Sequence, residues 1–249
     1  MSISLRFEDN IFNLDKLKLP TRYYYFNDDE NYVKLLSIGE GIFPKDRLKT
    51  TIELIRSNSI FTTESATKIY PSTKEYGINS ISMSLLQSNC EFINDELILY
   101  KNSKLIQFLT INADSHSTFF YTDILSSGRS FETFDFTSMR VRNRFVIDEE
   151  LEYLENFDIS GDEVKNYLYR HNQSKLIFAK VYIRTNNNDE FLDSLSKYNF
   201  ESFSYTKSKK MLIGVISGDN MSHMKKKIQA VWKLYRKSLE KKEFNLGKQ

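Results

Sequence analysis

The side chains of this 249-residue chain best suited to bind a transition metal, or to act as nucleophile or base, are three histidines and one cysteine. His116, His171 and His223 stand far apart, and none sits in an HExxH or HxH spacing. With Cys90 alone there is no CxxC, so a tight tetrahedral nitrogen and sulfur site lacks its local ligand pairs. No GxxxxGK[ST] or GxGxxG run offers a phosphate cradle, and no GxSxG offers a nucleophile elbow. Nothing adjacent in sequence would tune the histidines, so each reads as a surface or hydrogen-bonded residue. Cys90 follows the turn Ser88-Asn89 and opens an apolar stretch, which reads as a buried structural thiol. The acidic runs Asp28-Asp29-Glu30 and Asp148-Glu149-Glu150 read as solvated turns with no chemical role. On residue chemistry alone the chain reads as a β-rich binding protein, with no catalytic residues.

The elements that would position any site are mostly strands. From Thr21 to about Tyr153 apolar residues recur with a period near two, as in Ser80-Ile81-Ser82-Met83-Ser84-Leu85 and Glu96-Leu97-Ile98-Leu99-Tyr100. β-branched and aromatic residues dominate these runs, and Asn, Asp, Ser or Gly separate them. Strands send alternate side chains to opposite faces, so the pattern predicts many short strands in a sandwich, barrel or stacked architecture. Two helices are expected beyond them. A short one opens at Asn188-Asp189 with Phe191, Leu192 and Leu195 on one face. A longer one, about 220–242, starts at Asp219 or Asn220 as N-cap. Its stripe is Met221, Met224, Ile228, Val231, Trp232, Tyr235 and Leu239, and Lys225, Lys226, Lys227, Lys233, Arg236, Lys237, Lys241 and Lys242 fall on the opposite face. Asp158 to Gln173 reads as a long connection. No linker is visible, so residues 1–249 read as one domain, β-rich over 21–218.

Composition narrows the class. Hydrophobic residues make up 40% of the chain and the net charge is +2, which excludes a mainly disordered protein. A near-neutral chain recruits neither nucleic acid nor an anionic membrane by bulk electrostatics. No uncharged apolar run reaches the roughly 18 residues a membrane helix needs, and residues 1–20 show no basic-then-apolar leader pattern. A cytoplasmic location is the expectation, in keeping with a single thiol.

Three segments carry a family resemblance. Ser37-Ile38-Gly39-Glu40-Gly41-Ile42-Phe43-Pro44-Lys45-Asp46, followed by a strand, is similar to the glycine-rich loop with a terminal aspartate near the start of the urease accessory protein UreD (UreH) family. Phe61-Thr62-Thr63-Glu64-Ser65-Ala66-Thr67-Lys68-Ile69-Tyr70 resembles that family's threonine-rich segment, and is the most specific of the three. Phe120 to Arg129 resembles its strand ending in Gly-Arg, followed at Phe134 to Arg144 by a Phe- and Arg-rich strand. The likeness extends from about Lys34 to Leu239. Pro44-Lys45 replaces the Gly-Gly expected before the aspartate.

The resemblance implies a layered, β-helix-like stack of strands with two α-helices, and a nickel-delivery scaffold rather than an enzyme. It implies UreF, UreG and the urease apoprotein as partners, homodimerisation of the accessory complex as a further option, and nickel in transit with no tightly bound cofactor. A transit path must release its cargo, and oxygen donors suit that better than clustered thiolates or imidazoles. Asp46 and Asp123, with Thr62, Thr63, Lys68, Gly128 and Arg129, would then be nickel-channel or interface positions.

Each position also has an ordinary reading. Asp46 equally fits a turn former, Thr62 and Thr63 strand residues, Lys68 an edge charge and Gly128 a positive-φ turn. Arg129 could bridge strands or meet a partner carboxylate. The lysine-bearing helix reads as packed on the sheet, with docking of UreF and nucleic-acid binding as the other two readings. Strand count and aromatic content alone also admit a β-rich carbohydrate-active enzyme, which would need two carboxylates roughly 5–10 Å apart at a groove.

Overall fold

The computed structural model describes residues 1–37, 41–198, 200 and 202–247. Ile38, Gly39 and Glu40 of the loop compared above lie outside the described residues. Two hairpins open the chain: β1 (Ser2–Glu8) with β2 (Ile11–Lys18), then β3 (Thr21–Phe26) with β4 (Asn31–Ser37). The coil proper follows. β5 (Arg47–Ile55) is succeeded by β6 (Asn58–Thr63) and β7 (Thr67–Ile69), then by β8 (Gly77–Leu86), β9 (Asn89–Leu99), β10 (Lys104–Ala113), β11 (Thr118–Ser126) and β12 (Ser138–Ile147). β5, β8, β10 and β12 lie side by side and parallel in one sheet, here sheet A. β6, β9 and β11 do the same in the facing sheet B, where β7 also pairs with β9. Apart from the step from β6 to β7, both in sheet B, the chain changes sheet from each strand to the next over β5 to β12, so successive strands stack as turns of a solenoid.

Parallel coils leave open edges, which antiparallel strands occupy here. In sheet A, β1 joins β5 in parallel and folds back on β2, and at the far edge β12 turns into β13 (Glu150–Ile159). In sheet B, the β3–β4 hairpin covers β6. Beyond β11 the sheet continues through β14 (Ile177–Arg184), β16 (Leu212–Gly218) and β15 (Phe203–Tyr205). Two strands thus precede Thr21, where the alternating region was expected to begin. Ile3, Leu5 and Phe7 of β1 are fully buried, whereas β2 is largely exposed; residues 1–20 do alternate apolar with charged side chains, but lie outside the strands expected from the sequence.

The corners are stitched by serines, because a backbone N–H turned away from both sheets still needs an acceptor. Asn10 N donates to Ser57 Oγ at 2.8 Å, Ser57 N to Ser88 Oγ at 3.0 Å, and Ser88 N to Ser117 Oγ at 3.1 Å. Ser117 Oγ in turn reaches Asp114. The same type at the same corner in successive coils makes a ladder along the stack.

Among the described residues three helices complete the fold, one more than expected. α1 (Gly161–Arg170) lies inside the stretch read as a connection. Ser160 and Glu163 form its capping box, and only Val164 and Leu168 mark an apolar side, too short a stripe to register as periodic. Gly161 is obligatory there: a Cβ would stand 1.7 Å from the Phe134 carbonyl oxygen. α2 (Asn188–Lys197) is capped by Asn187, and α3 (Met221–Ser238) by Asn220. α3 ends in a Schellman turn, with Lys241 N donating to Arg236 O at 2.9 Å and Glu240 at positive φ. α2 and α3 cover the outer face of sheet B, burying Phe191, Leu195, Met224, Ile228, Val231, Trp232 and Tyr235.

One residue of α3 departs from expectation. Arg236, counted with the solvated face, is 1% exposed. Its guanidinium donates to Glu91 Oε2 at 2.8 Å and to Glu30, and Glu91 also accepts from Trp232 Nε1 at 2.6 Å and Lys241 Nζ at 2.9 Å. Glu30, read as part of a solvated turn, is therefore a partner in the buried cluster that locks α3 onto sheet B.

Candidate functional site

The space between the sheets has an apolar layer near the serine corners and another near α1. The first holds Ile52, Leu54, Met83, Leu85, Ile111 and Phe145, and the second Ile69, Leu99, Leu105, Met139 and Val141. Polar side chains divide the two. From sheet A come Thr50, Asn79, Gln107, Asn143 and Glu155. From sheet B come Thr63, Asn94, Asp123 and Lys180. Each interrupts an inward row that is otherwise apolar: Gln107 stands between Leu105 and Leu109, Asn143 between Val141 and Phe145, Glu155 between Tyr153 and Phe157.

A bulge in β9 sets part of this seam. Thr122 pairs with Ile93 and Ile124 with Glu96, so Asn94 and Asp95 together face Asp123. Bulges re-aim side chains, and this one turns Asn94 inward while Asp95 meets Lys225 of α3 at 3.0 Å. Asn94 is fixed by its own N–H to Thr122 Oγ1 at 3.1 Å and by Nδ2 to Thr122 O at 2.7 Å.

Two cavities lie on the seam. The first, about 240 Å³, is walled by Thr21, Thr50, Thr63, Lys68, Asn79 and Asn94, with Gly41 and Ile42 of the preceding loop at its side. The second, about 250 Å³, holds Gln107, Asp123, Asn143 and Lys180 among apolar walls that include Met139, Phe157, Val164 and Phe178. Hydrogen bonds bridge them: Asn94 contacts the Tyr121 hydroxyl, which donates to Asp123 Oδ1 at 2.9 Å, and Gln107 Nε2 donates to Asp123 Oδ2 at 2.8 Å.

Electrostatics at the second cavity are unusual. Burial raises the Asp123 carboxyl to about 6, against the opposing pull of the Tyr121 hydrogen bond and the Lys180 charge, while Glu155 pushes it further up. The same burial, with Asp123 beside it, drives the Tyr121 hydroxyl well above the ordinary tyrosine range. Glu155 accepts from Lys180 Nζ, from Tyr182 OH at 2.9 Å and from Asn143 Nδ2 at 2.9 Å.

The residues singled out in the sequence divide among these places. Asp123 lies in the second cavity, and Thr63 and Lys68 line the first. Thr62 is fully buried but on the alternate face, donating to Ile93 O at 2.7 Å beneath the helices. Asp46 accepts from Phe43 N at 3.0 Å and closes the turn of the loop that carries Gly41 and Ile42, so it stands behind the cavity wall and not in it. Gly128 has φ +133° beside Glu132, and Arg129 pairs with Glu132 at 2.7 Å while stacking on Tyr100, its guanidinium carbon 4.3 Å from the ring centre. Neither lines the seam. Sequence reasoning missed Gln107, Asn143, Glu155 and Lys180, although each breaks an apolar inward row and could have been found by that signal.

Cys90 is buried 3.7 Å from Met83 Sδ, and burial pushes its thiol up. The three histidines are exposed and apart. Among the described residues no group of three or more His, Cys, Asp or Glu side chains is arranged to hold a metal, and no helix is long and apolar enough to cross a membrane.

Fold and site together define a solenoid-like β scaffold whose interior carries a polar, oxygen-rich seam. The family model described as "UreD urease accessory protein" matches residues 17–246. A urease accessory protein UreD of Aliarcobacter butzleri (strain RM4018) is 60% identical over 250 residues, covering all of both chains. Another, of Staphylococcus epidermidis, is 30% identical over 192 residues, covering 75% of this chain and 69% of its own. The chain belongs to the UreD family of urease accessory proteins.

Proposed function

We propose that this chain is a non-catalytic maturation scaffold. In the cytoplasm, together with UreF- and UreG-type partners and the urease apoprotein, it helps pass nickel toward the urease active site. The polar seam is the path. The observation that carries this reading is the run of inward polar residues, Thr63 and Asn94 on the first cavity, Asp123 and Asn143 on the second, and Glu155 bonded behind it to Asn143 and Lys180, across an interior that is otherwise apolar. Burying polar groups costs stability unless they are partnered, so a seam kept across both sheets argues for use. Its donors are amide, hydroxyl and carboxylate oxygens, which hold a borderline divalent ion less tightly than clustered thiolates or imidazoles would. Asp46 supports the wall of the first cavity from its turn, and Thr63 and Lys68 present the polar surface there.

The test is urease activation at limiting nickel, in cells expressing the full urease system with this chain replaced by Asp123→Ala or Glu155→Gln. Activation falls severalfold while the soluble amount of the chain and its capture of apo-urease stay constant. Wild-type activation by the double variant would end the conduit reading, and failure to capture apo-urease would end the scaffold reading.

A further inference from the structure

Lys180 is an odd residue to find at the second cavity. It occupies an inward position of β14 between Phe178 and Tyr182, directly opposite Asp123 in the antiparallel register. Its ammonium contacts Glu155 and lies 4.7 Å from the centre of the Phe157 ring. The side chain is only 33% exposed, so the charge is held near the seam by design of the strand rather than by default. Asn143 is a second, independent oddity. It is 1% exposed, it lines the same cavity, its Nδ2 donates to Glu155 and to Tyr182, and its Oδ1 is buried without a donor. An oxygen in that state wants a cation or a donor.

We infer that the Lys180 ammonium is a tethered cation occupying the place a divalent ion would take between Asp123 and Glu155, so that cargo advances only by displacing it. The inference rests on the conduit reading above and adds a regulation to it. Asp123, Glu155 and the unpartnered Asn143 oxygen offer two charges and a neutral donor, a set suited to a divalent cation and oversupplied for one ammonium. With the ammonium in place the site is partly neutralised and an arriving ion meets a like charge. Once the flexible lysine stem swings outward, through the third of its surface already exposed, the Glu155 oxygen it held is freed beside Asp123 and the unpartnered Asn143 oxygen. The device keeps the carboxylates partnered when no ion is present and keeps an ion's residence short when one is.

Lys180→Met, which keeps the stem and removes the charge, tests this on the purified full chain titrated calorimetrically with nickel chloride. Nickel binds the variant about tenfold tighter or more than wild type, since a like charge is gone from the site. Adding Glu155→Gln to Lys180→Met returns the affinity to the wild-type level. Lys180→Gln serves as the second variant should the methionine protein prove poorly folded by its thermal transition, and it tightens binding in the same direction. In cells at limiting nickel, Lys180→Met lowers urease activation although it binds the metal better, because release slows. Unchanged nickel affinity in both lysine variants overturns the tethered cation, as does a gain that survives Glu155→Gln. Those outcomes are separable from failure of the conduit: a false conduit leaves activation insensitive to Asp123→Ala, whatever Lys180 does to affinity.

Discussion

Asp123→Asn is expected to stabilise the isolated protein, by an amount that grows with pH. The carboxyl titrates at about 6 in the fold against an ordinary 3.8, chiefly because burial penalises its charged form. A folded value raised above the unfolded one means that the protonated acid favours the fold. That contribution is fully present below about pH 4 and is lost as pH rises through 6. At 1.36 kcal/mol per pH unit, the gap between 3.8 and 6 amounts to roughly 3 kcal/mol lost by pH 7.5, of which about 2 kcal/mol disappears between pH 4.5 and 7.5. Water reaching the cavity screens part of this, so the working range is about 1–3 kcal/mol. Asparagine copies the shape of the neutral acid, still accepts from Tyr121 OH, and requires only that the Gln107 amide turn over. Urea unfolding of wild type and variant at pH 4.5 and 7.5 measures it: the difference in unfolding free energy should widen by about 2 kcal/mol at the higher pH. A difference that is equal at the two pH values, or that narrows toward pH 7.5, would refute the claim that the seam holds a destabilised carboxylate.

Other perturbations probe the frame around the seam. Arg236→Ala strands Glu91 inside the α3 cluster and is expected to cost about 3–5 kcal/mol, seen as a lower urea midpoint, whereas a surface-like loss under 1 kcal/mol would mean the cluster is not buried in solution. Gly161→Ala should prevent α1 from seating, because its Cβ would overlap the Phe134 carbonyl; wild-type thermal stability of that variant would contradict the close approach. Asp46→Ala loses the carboxylate that accepts from Phe43 N and is expected to cost about 1 kcal/mol in urea unfolding, since that bond caps a turn; no change would show that the loop holds its shape without it.

Much of the architecture was legible because strands announce themselves by parity. The rows around Met83 and Leu99 alternate cleanly, and the α3 stripe from Met224 to Tyr235 was read in the right place, with Asn220 one of the two caps expected. What was lost was lost for physical reasons. β2 carries charge on an edge with both faces near solvent, α1 has two apolar residues and a capping box, and Arg236 is a cation that burial made into a core residue. The site was harder. Asp123, Thr63 and Lys68 came from resemblance, while Lys180, Glu155 and Asn143 sit on strands distant in sequence that meet only once the coil is wound. The β9 bulge hid the register as well: Phe92 and Leu97 both point inward, at odd separation, because Asn94 and Asp95 share one partner position.

That bulge also bears on why the seam sits where it does. A bulge weakens a ladder locally and is retained where it re-aims a side chain. Here it delivers Asn94 to the first cavity and Asp95 to Lys225 on the helix side, so one irregularity fastens α3 and furnishes the seam at once. Asn94 then reaches Asp123 through the Tyr121 hydroxyl, which links the two cavities without a charged group between them. A neutral hydroxyl thus joins the first cavity, lined by Thr21, Thr50, Thr63, Lys68, Asn79 and Asn94, to the second, which holds Asp123 and Lys180, with Glu155 behind it on Lys180 and Tyr182.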